Sequence, residues 1–406
     1  MAPALGTLAA LVVAGLASLF MAWSIGAGSS GSTPFAPAVG ANAISVMRAG
    51  FVVGLLGFAG AVLQGANVTQ AVGTALIEGV QLSAVGATVG LLTAALLVAA
   101  GVFAGYPIAT AFTVTGAVVG VGLALGGDPA WPKYRQIVAL WTLVPVLGGG
   151  TAYATARLLR DDRVEERVAV PALAGLVAAV VANIGFSVLG PGPASASLAA
   201  VAGAALDRAA GLPPLPGVGA GAGTGRLLVT ALAALAAAAG LRRGMAADPA
   251  RGQRRFLLVL GGLVAFSAGG SQVGLAIGPL VPLLGAVALP LPAVLVGGGL
   301  GLLLGSWTGA PRMIKALARD YSSLGPRRSI AALIPSFVIA QVAVALGVPV
   351  SFNEIIVSAI VGSGYAAGGS GVSRRKMGYT VLAWVGSLVL ALVGGYAALS
   401  AVRAVL

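Results

Sequence analysis

Apolar runs of about 20 residues recur along this chain, each long enough to cross the hydrocarbon core of a bilayer, and short polar stretches separate them. They predict helices over residues 4–24, 48–65, 82–103, 136–158, 168–190, 225–241, 255–272, 292–310, 329–347 and 378–402. Four intervening segments, 26–45, 107–127, 269–289 and 349–369, are equally apolar but too rich in Gly, Pro, Ser and Thr to be straight spans. Irregular backbone cannot face lipid with its polar groups unpaired. These segments are therefore expected to be re-entrant hairpins or broken helices, buried in protein or lining a watery cavity.

The pattern occurs twice, offset by 242 to 243 residues. "WSIGAGSSGSTPFAPAVG" near the start is echoed by "FSAGGSQVGLAIGPLVPLLG", and "YPIATAFTVTGAVVGVGLALGG" from Tyr106 by "VPVSFNEIIVSAIVGSGYAAGG" from Val348. Pro107, Gly120, Gly122, Gly126 and Gly127 recur as Pro349, Gly362, Gly364, Gly368 and Gly369, and Trp141 recurs as Trp384. Paired Gly- and Pro-interrupted segments in a membrane chain point to a secondary transporter with its site where two repeats meet. The expected organisation is a first transmembrane repeat over 1–190 and a second over 255–406. Between them lies a linker region, 191–254, carrying one membrane helix at 225–241 and a short helix near Ser195 to Ala210.

Composition narrows the class. With 58% hydrophobic and 8% charged residues, the chain reads as an all-α polytopic membrane protein. It is expected to carry two inverted repeats, re-entrant or broken helices and about 10–12 membrane segments. The first apolar run has no basic region ahead of it and no small-residue cleavage site, so it reads as a retained span of a multi-pass cell-membrane protein. The absence of Cys and His excludes disulfides, thiolate or imidazole metal sites and Cys or His catalysis, so no enzyme and no cofactor is expected. The net charge of +13 sits mostly between the apolar runs. It suits anchoring against anionic membrane lipid and attraction of an anionic solute, whereas no long soluble basic segment exists to bind nucleic acid. Lys133 and Arg135 after one hairpin, and Arg374, Arg375 and Lys376 after the other, put basic loops on both faces and leave orientation open.

At "VGANAISVMRAG", "GAVLQGANVTQAVGTALIEG", "GAVVGVG", "AIGPL" and "GVPVS", with Trp141 and Trp384, the chain resembles the inorganic phosphate transporter (PiT) family over 20–160 and 255–402. That family's signature is a duplicated Gly-Ala-Asn-Asp motif followed by a Pro-Val-Ser-Thr-Thr-His segment. The resemblance implies a phosphate carrier, with a homodimer as a compatible assembly. The departures fall on the signature itself. Gly26 and Ala27 fit, but Gly28 and Ser29 hold the Asn and Asp positions and Ser32 the next Asn position. In the second copy Ala268, Ser271, Gln272 and Leu275 hold the His, Asn, Asp and further Asn positions, while Gly57 and Leu333 stand where relatives often have Glu.

With those carboxylates gone, only hydroxyls, amides and freed carbonyls remain to coordinate sodium, whereas an anion loses two repulsive neighbours and keeps the N–H groups of half-helix N-termini. The candidate oxyanion-binding residues are Ser29, Ser32, Thr33, Thr110, Ser267, Ser271, Gln272, Ser351 and Asn353. Glu354, the one acid inside an apolar re-entrant segment, is the coupling candidate; the alternative for it is a water-exposed hairpin tip or a loop Arg partner. Sodium and the proton both stay open as coupling ion. Small Ser and Gly residues also permit close helix packing, the plain structural alternative for the serines. Asn67 is expected to cap a helix, Glu78 to lie at the interface and Arg48 to anchor the entry to the second span. The expected function is phosphate transport by alternating access. A sulfate or other oxyanion permease, or a non-transporting membrane sensor or subunit, stands as the alternative.

Overall fold

The computed structural model describes residues 5–190, 196–212, 223–368 and 372–405. Gly369 and Ser195 lie outside them. The helices, in order, are α1 (Leu5–Gly28), α2 (Ala36–Gly40), α3 (Val46–Gln64), α4 (Ala66–Thr74), α5 (Ala84–Ala104), α6 (Thr110–Ala124), α7 (Trp131–Leu158), α8 (Glu166–Ala182), α9 (Leu198–Ala210), α10 (Thr224–Ala247), α11 (Pro249–Ile277), α12 (Leu291–Thr308), α13 (Ala310–Arg319), α14 (Pro326–Leu346), α15 (Phe352–Tyr365) and α16 (Arg374–Val405). A 3-10 helix, Gly278–Val287, continues α11. Two short antiparallel pairings complete the described residues, β1 (Ile77–Glu78) with β2 (Asp128–Pro129) and β3 (Gly185–Phe186) with β4 (Ala196–Ser197). Among the described residues nine helices are long and apolar enough to span a membrane, which makes this an all-α polytopic membrane protein.

Most predicted spans form where the apolar runs placed them, but several expectations change. The span expected over 168–190 stops at Ala182, because Asn183 ends the helix in a polar knot. Its amide donates to Ala179 O and Thr230 Oγ1 (both 2.9 Å) and accepts from Arg226 Nε (2.8 Å). The segment from 269 is not broken at its start: α11 runs through to Ile277, since no proline interrupts it before Pro279. Asn67 is the second residue of α4 and caps nothing; the N-cap is Gly65. Lys133, Arg135, Arg374, Arg375 and Lys376 belong to the first turns of α7 and α16 rather than to loops. Helices α4 and α13 were hidden by their polar faces.

The chain divides into two compact units, Met1–Ala154 with Leu260–Leu406, and Thr155–Val259. In the smaller unit α8 packs on α10, and α10 in turn on α9. Inside the smaller unit Asp207 Oδ1 accepts from the Gly225 amide (2.7 Å), and Gly203 backs onto the Arg226 amide.

The larger unit is built by exchange between the repeats. A Cβ at Gly120 of α6 would lie 2.1 Å from the Leu392 carbonyl oxygen of α16, and one at Gly362 of α15 would lie 2.1 Å from the Gly149 oxygen of α7. A Cβ at Gly60 of α3 would lie 1.8 Å from the Phe266 oxygen of α11, and one at Gly305 of α12 would lie 2.1 Å from the Trp23 oxygen of α1. Each pair is the repeat image of the other. The same holds for α4 on the 3-10 helix and α13 on α2. Contacts that recur with partners exchanged are what a pseudo-two-fold relation produces. Small residues let membrane helices approach until backbone meets backbone, which supplies the packing that water would otherwise drive.

Gly269 in α11, whose Cβ would meet the Gly57 oxygen at 1.8 Å, tests this arrangement. Gly269→Ala is expected to cost at least about 1–3 kcal/mol through overpacking and to lower the thermal unfolding midpoint in detergent. Gly150→Ala, whose methyl meets open space inside α7, should leave the midpoint unchanged or raise it.

Candidate functional site

The site forms where the interrupted segments of the two repeats meet. Helix α1 ends at Gly28, and the chain turns through Ser29 to Phe35 before α2. That turn is held by one carbonyl. Ser29 O accepts from the Ser32 and Thr33 amides (both 3.0 Å), from Ser32 Oγ (3.2 Å) and from Thr33 Oγ1 (3.0 Å). Ser32 and Thr33 thus direct their single hydroxyl protons at the backbone of their own turn. Ser267 similarly donates to Leu263 O (2.8 Å) and accepts from Gln341 Nε2 (2.6 Å), in a separate buried cluster with Gln64. As donors to an anion, these three hydroxyls are already engaged.

Ser29, Thr110, Gln272, Ser351 and Asn353 are brought together. Gln272 Oε1 accepts from Ser29 Oγ (3.2 Å) and Thr110 Oγ1 (2.7 Å), while its Nε2 donates to Val350 O (2.6 Å). One amide therefore ties the end of α1, the first residue of α6 and the extended segment before α15. Ser29 and Gln272, the repeat-equivalent positions of the altered signature, touch each other. Asn353 makes the complementary tie, donating both amide protons, to Gly28 O (2.9 Å) and Ile108 O (2.6 Å).

The hairpins are hung from tryptophans. Trp141 Nε1 donates to Pro349 O (3.1 Å), and Trp384 Nε1 donates to Pro107 O (2.8 Å), each satisfying a carbonyl that the proline break leaves without a helical partner. Helices α6 and α15 thus begin inside the protein, with Ala109 and Ser351 as their N-caps and their first N–H groups facing inward. Ser351 Oγ accepts from the Glu354 amide (3.4 Å), which leaves its own proton available. The symmetry breaks at Phe112, which stacks on Trp141 with ring centroids 3.8 Å apart; its repeat counterpart is Glu354.

Several buried polar atoms here have no protein partner: Ser271 Oγ, Asn353 Oδ1 and Glu354 Oε2. Glu354 is 1% exposed, and neither a hairpin-tip position nor an arginine partner holds. It is the one buried Asp, Glu, Lys or Arg among the described residues. No group of three acids able to hold a metal is present among them either. The positive ends of α6 and α15 favour an anion here. Elsewhere, Glu78 is exposed in β1 and Arg48 is exposed in the first turn of α3. The roles of Gly28 O, Ile108 O, Val350 O and the Gln64–Gln341 pair carry no sequence signal, since carbonyl positions and pairing depend on the fold. The tryptophans did recur, which marked them without revealing what they hold.

Interlocked repeats whose interrupted helices begin at a buried polar cluster fit a membrane transporter. The Phosphate transporter family matches residues 25–395, and the chain belongs to that family. It is 26% identical over 410 residues to "Inorganic phosphate transporter 2-1, chloroplastic" of Arabidopsis thaliana, covering 91% of this chain and 68% of the relative. Its fold is similar to that of a solved structure described as "The sodium-dependent phosphate transporter", with a TM-score of 0.79, 22% identity, and coverage of 98% of this chain and 100% of the other.

Gln272→Leu would leave Ser29, Thr110 and the Val350 carbonyl without their shared partner. Each buried group so orphaned costs about 1–3 kcal/mol. A marked drop in thermal unfolding midpoint is expected, larger than that for Ser32→Ala, which frees only one of four donors to Ser29 O.

Proposed function

We propose that this protein carries inorganic phosphate across the cell membrane by alternating access between two inverted repeats, coupled to protons through Glu354 instead of to sodium. The observation that carries the reading is the set of unpartnered buried atoms at the first turn of α15 and beside Gln272. Asn353 Oδ1 is an acceptor whose amide protons are both engaged, so it calls for a ligand that brings an O–H. Ser271 and Ser351 offer O–H donors, and the two helix N-termini offer N–H donors. A ligand must therefore present anionic oxygens and a hydroxyl on one small body. Protonated phosphate does so; sulfate at neutral pH has no proton to give, which favours phosphate over sulfate.

Glu354, next to Asn353 in the first turn of α15, keeps an unpartnered carboxyl oxygen, and an intramembrane acid without a charged partner suits a proton-linked step. Sodium is disfavoured at the signature positions. The Gln272 amide donates directly to Val350 O, filling with a neutral group the place where a carboxylate would need a cation between itself and that carbonyl. Membrane lipid surrounds the spans, and a homodimer is the assembly the family resemblance suggests.

Uptake of radiolabelled phosphate and sulfate into liposomes tests the reading. Saturable phosphate uptake, accelerated by an inward proton gradient and unchanged when potassium replaces sodium, is expected. Comparable sulfate uptake would make it a general oxyanion permease, and no uptake of either would make it a non-transporting member. In Glu354→Gln the proton gradient should no longer accelerate uptake; a retained acceleration would remove Glu354 from coupling. Gln272→Glu, which places carboxylate oxygens against Val350 O, should make uptake sodium-dependent, and an unaltered sodium response would count against the cation argument.

A further inference from the structure

A groove of about 570 Å³ runs along the outer face of the larger unit between α5 and α16. Its walls include Leu97 and Ala104 of α5, and Leu382, Gly386 and Leu390 of α16. Ser387, also in the wall, turns its hydroxyl back onto Trp384 O (2.9 Å), so this side chain offers no free proton to the groove. Along α16 the groove extends from Tyr379 to Leu390, a rise of about 16 Å. That is close to the depth of one leaflet's hydrocarbon, about half of the ~30 Å core.

One end of the groove is cationic. Tyr106 and Tyr379 line it there, and each ring carries a base: Lys376 Nζ lies 4.2 Å from the Tyr106 centroid, and Arg375 lies 5.6 Å from that of Tyr379. Asp320 approaches Lys376 (3.5 Å) and is itself 45% exposed, so it offsets one of the two charges. Arg374 adds a third base in the same helical turn, which is also the positive end of the α16 dipole. Lipid packing alone would explain an apolar groove, but not two cations over the aromatic rings at one end of it.

We propose that this groove is a binding site for an anionic phospholipid, one acyl chain lying between α5 and α16 and the headgroup phosphate held by Arg375 and Lys376. Basic side chains at the membrane surface select anionic headgroups, and long Lys and Arg side chains reach that level from a helix end. The groove reaches the polar cluster through Ile108, which lines it and whose carbonyl accepts from Asn353. Trp384, which holds Pro107, sits in the α16 turn behind it.

The test is native mass spectrometry of the full-length protein released from detergent after incubation with equal amounts of phosphatidylglycerol and phosphatidylcholine of matched chains. Retention of phosphatidylglycerol several-fold above phosphatidylcholine is expected. It should fall to parity in Arg375→Gln/Lys376→Gln. Gly386→Leu, whose new side chain enters open space in the groove wall, should reduce retention of both lipids. Equal retention by the unaltered protein, or a preference that survives the double substitution, overturns the proposal. So does displacement of the lipid by millimolar inorganic phosphate, which would assign the two cations to the free anion.

Discussion

The structure depends on backbone meeting backbone between the two repeats. In a bilayer, burying apolar side chains against another helix gains little over leaving them in lipid, so helices associate through close packing and polar ties. Here glycine meets carbonyl at several such approaches, Gly60 on Phe266 and Gly305 on Trp23, then Gly120 on Leu392 and Gly362 on Gly149. Each is doubled by its image, so any shift of one repeat against the other disturbs both members of a pair. The 63 glycines of the chain are in part a consequence of this demand.

That framework makes the broken helices tolerable. A proline break leaves carbonyls unpaired at membrane depth, where each costs free energy unless a partner is supplied. Trp141 and Trp384 supply them across the repeat boundary, Asn353 does the same for Gly28 and Ile108, and Gln272 satisfies Val350 within the second repeat. The result is a site whose backbone is largely satisfied by neutral side chains. The few atoms left over are therefore informative. Because two amides tie α1, α6 and α15 together, exposing the site to either side of the membrane requires those ties to part or to travel as a group.

Much of this was legible. Gly- and Pro-interruption marked the segments around Pro107 and Pro349, and the cluster of buried polar groups lies there. Ser29 and Gln272, aligned in the sequence as equivalent signature positions, touch at 3.2 Å, a contact that the alignment alone did not state. Less legible were features set by neighbours. Ser32, Thr33 and Ser267 have the right chemistry for an anion, but their protons go to carbonyls three or four residues back, a local option open to any Ser or Thr near a helix end. The stop at Asn183 needed Arg226 and Thr230, 43 and 47 residues away, to form its knot. Helix α13 alternates basic and apolar positions and gives no run of membrane length, although Met313, Ile314 and Leu317 are fully buried.

By itself the sequence determined the spans, the duplication and the loss of carboxylates from the signature, because hydropathy over about 20 residues and recurrence at a fixed offset are properties of the chain alone. The tertiary structure decided which hydroxyls are engaged, which acceptors are left open, and that the two altered signature positions bond to each other. Those outcomes join residues as far apart as Gly28 and Asn353, 325 positions along the chain. Hydrogen-bond satisfaction in a bilayer is fixed by distance in space, and no local pattern encodes it.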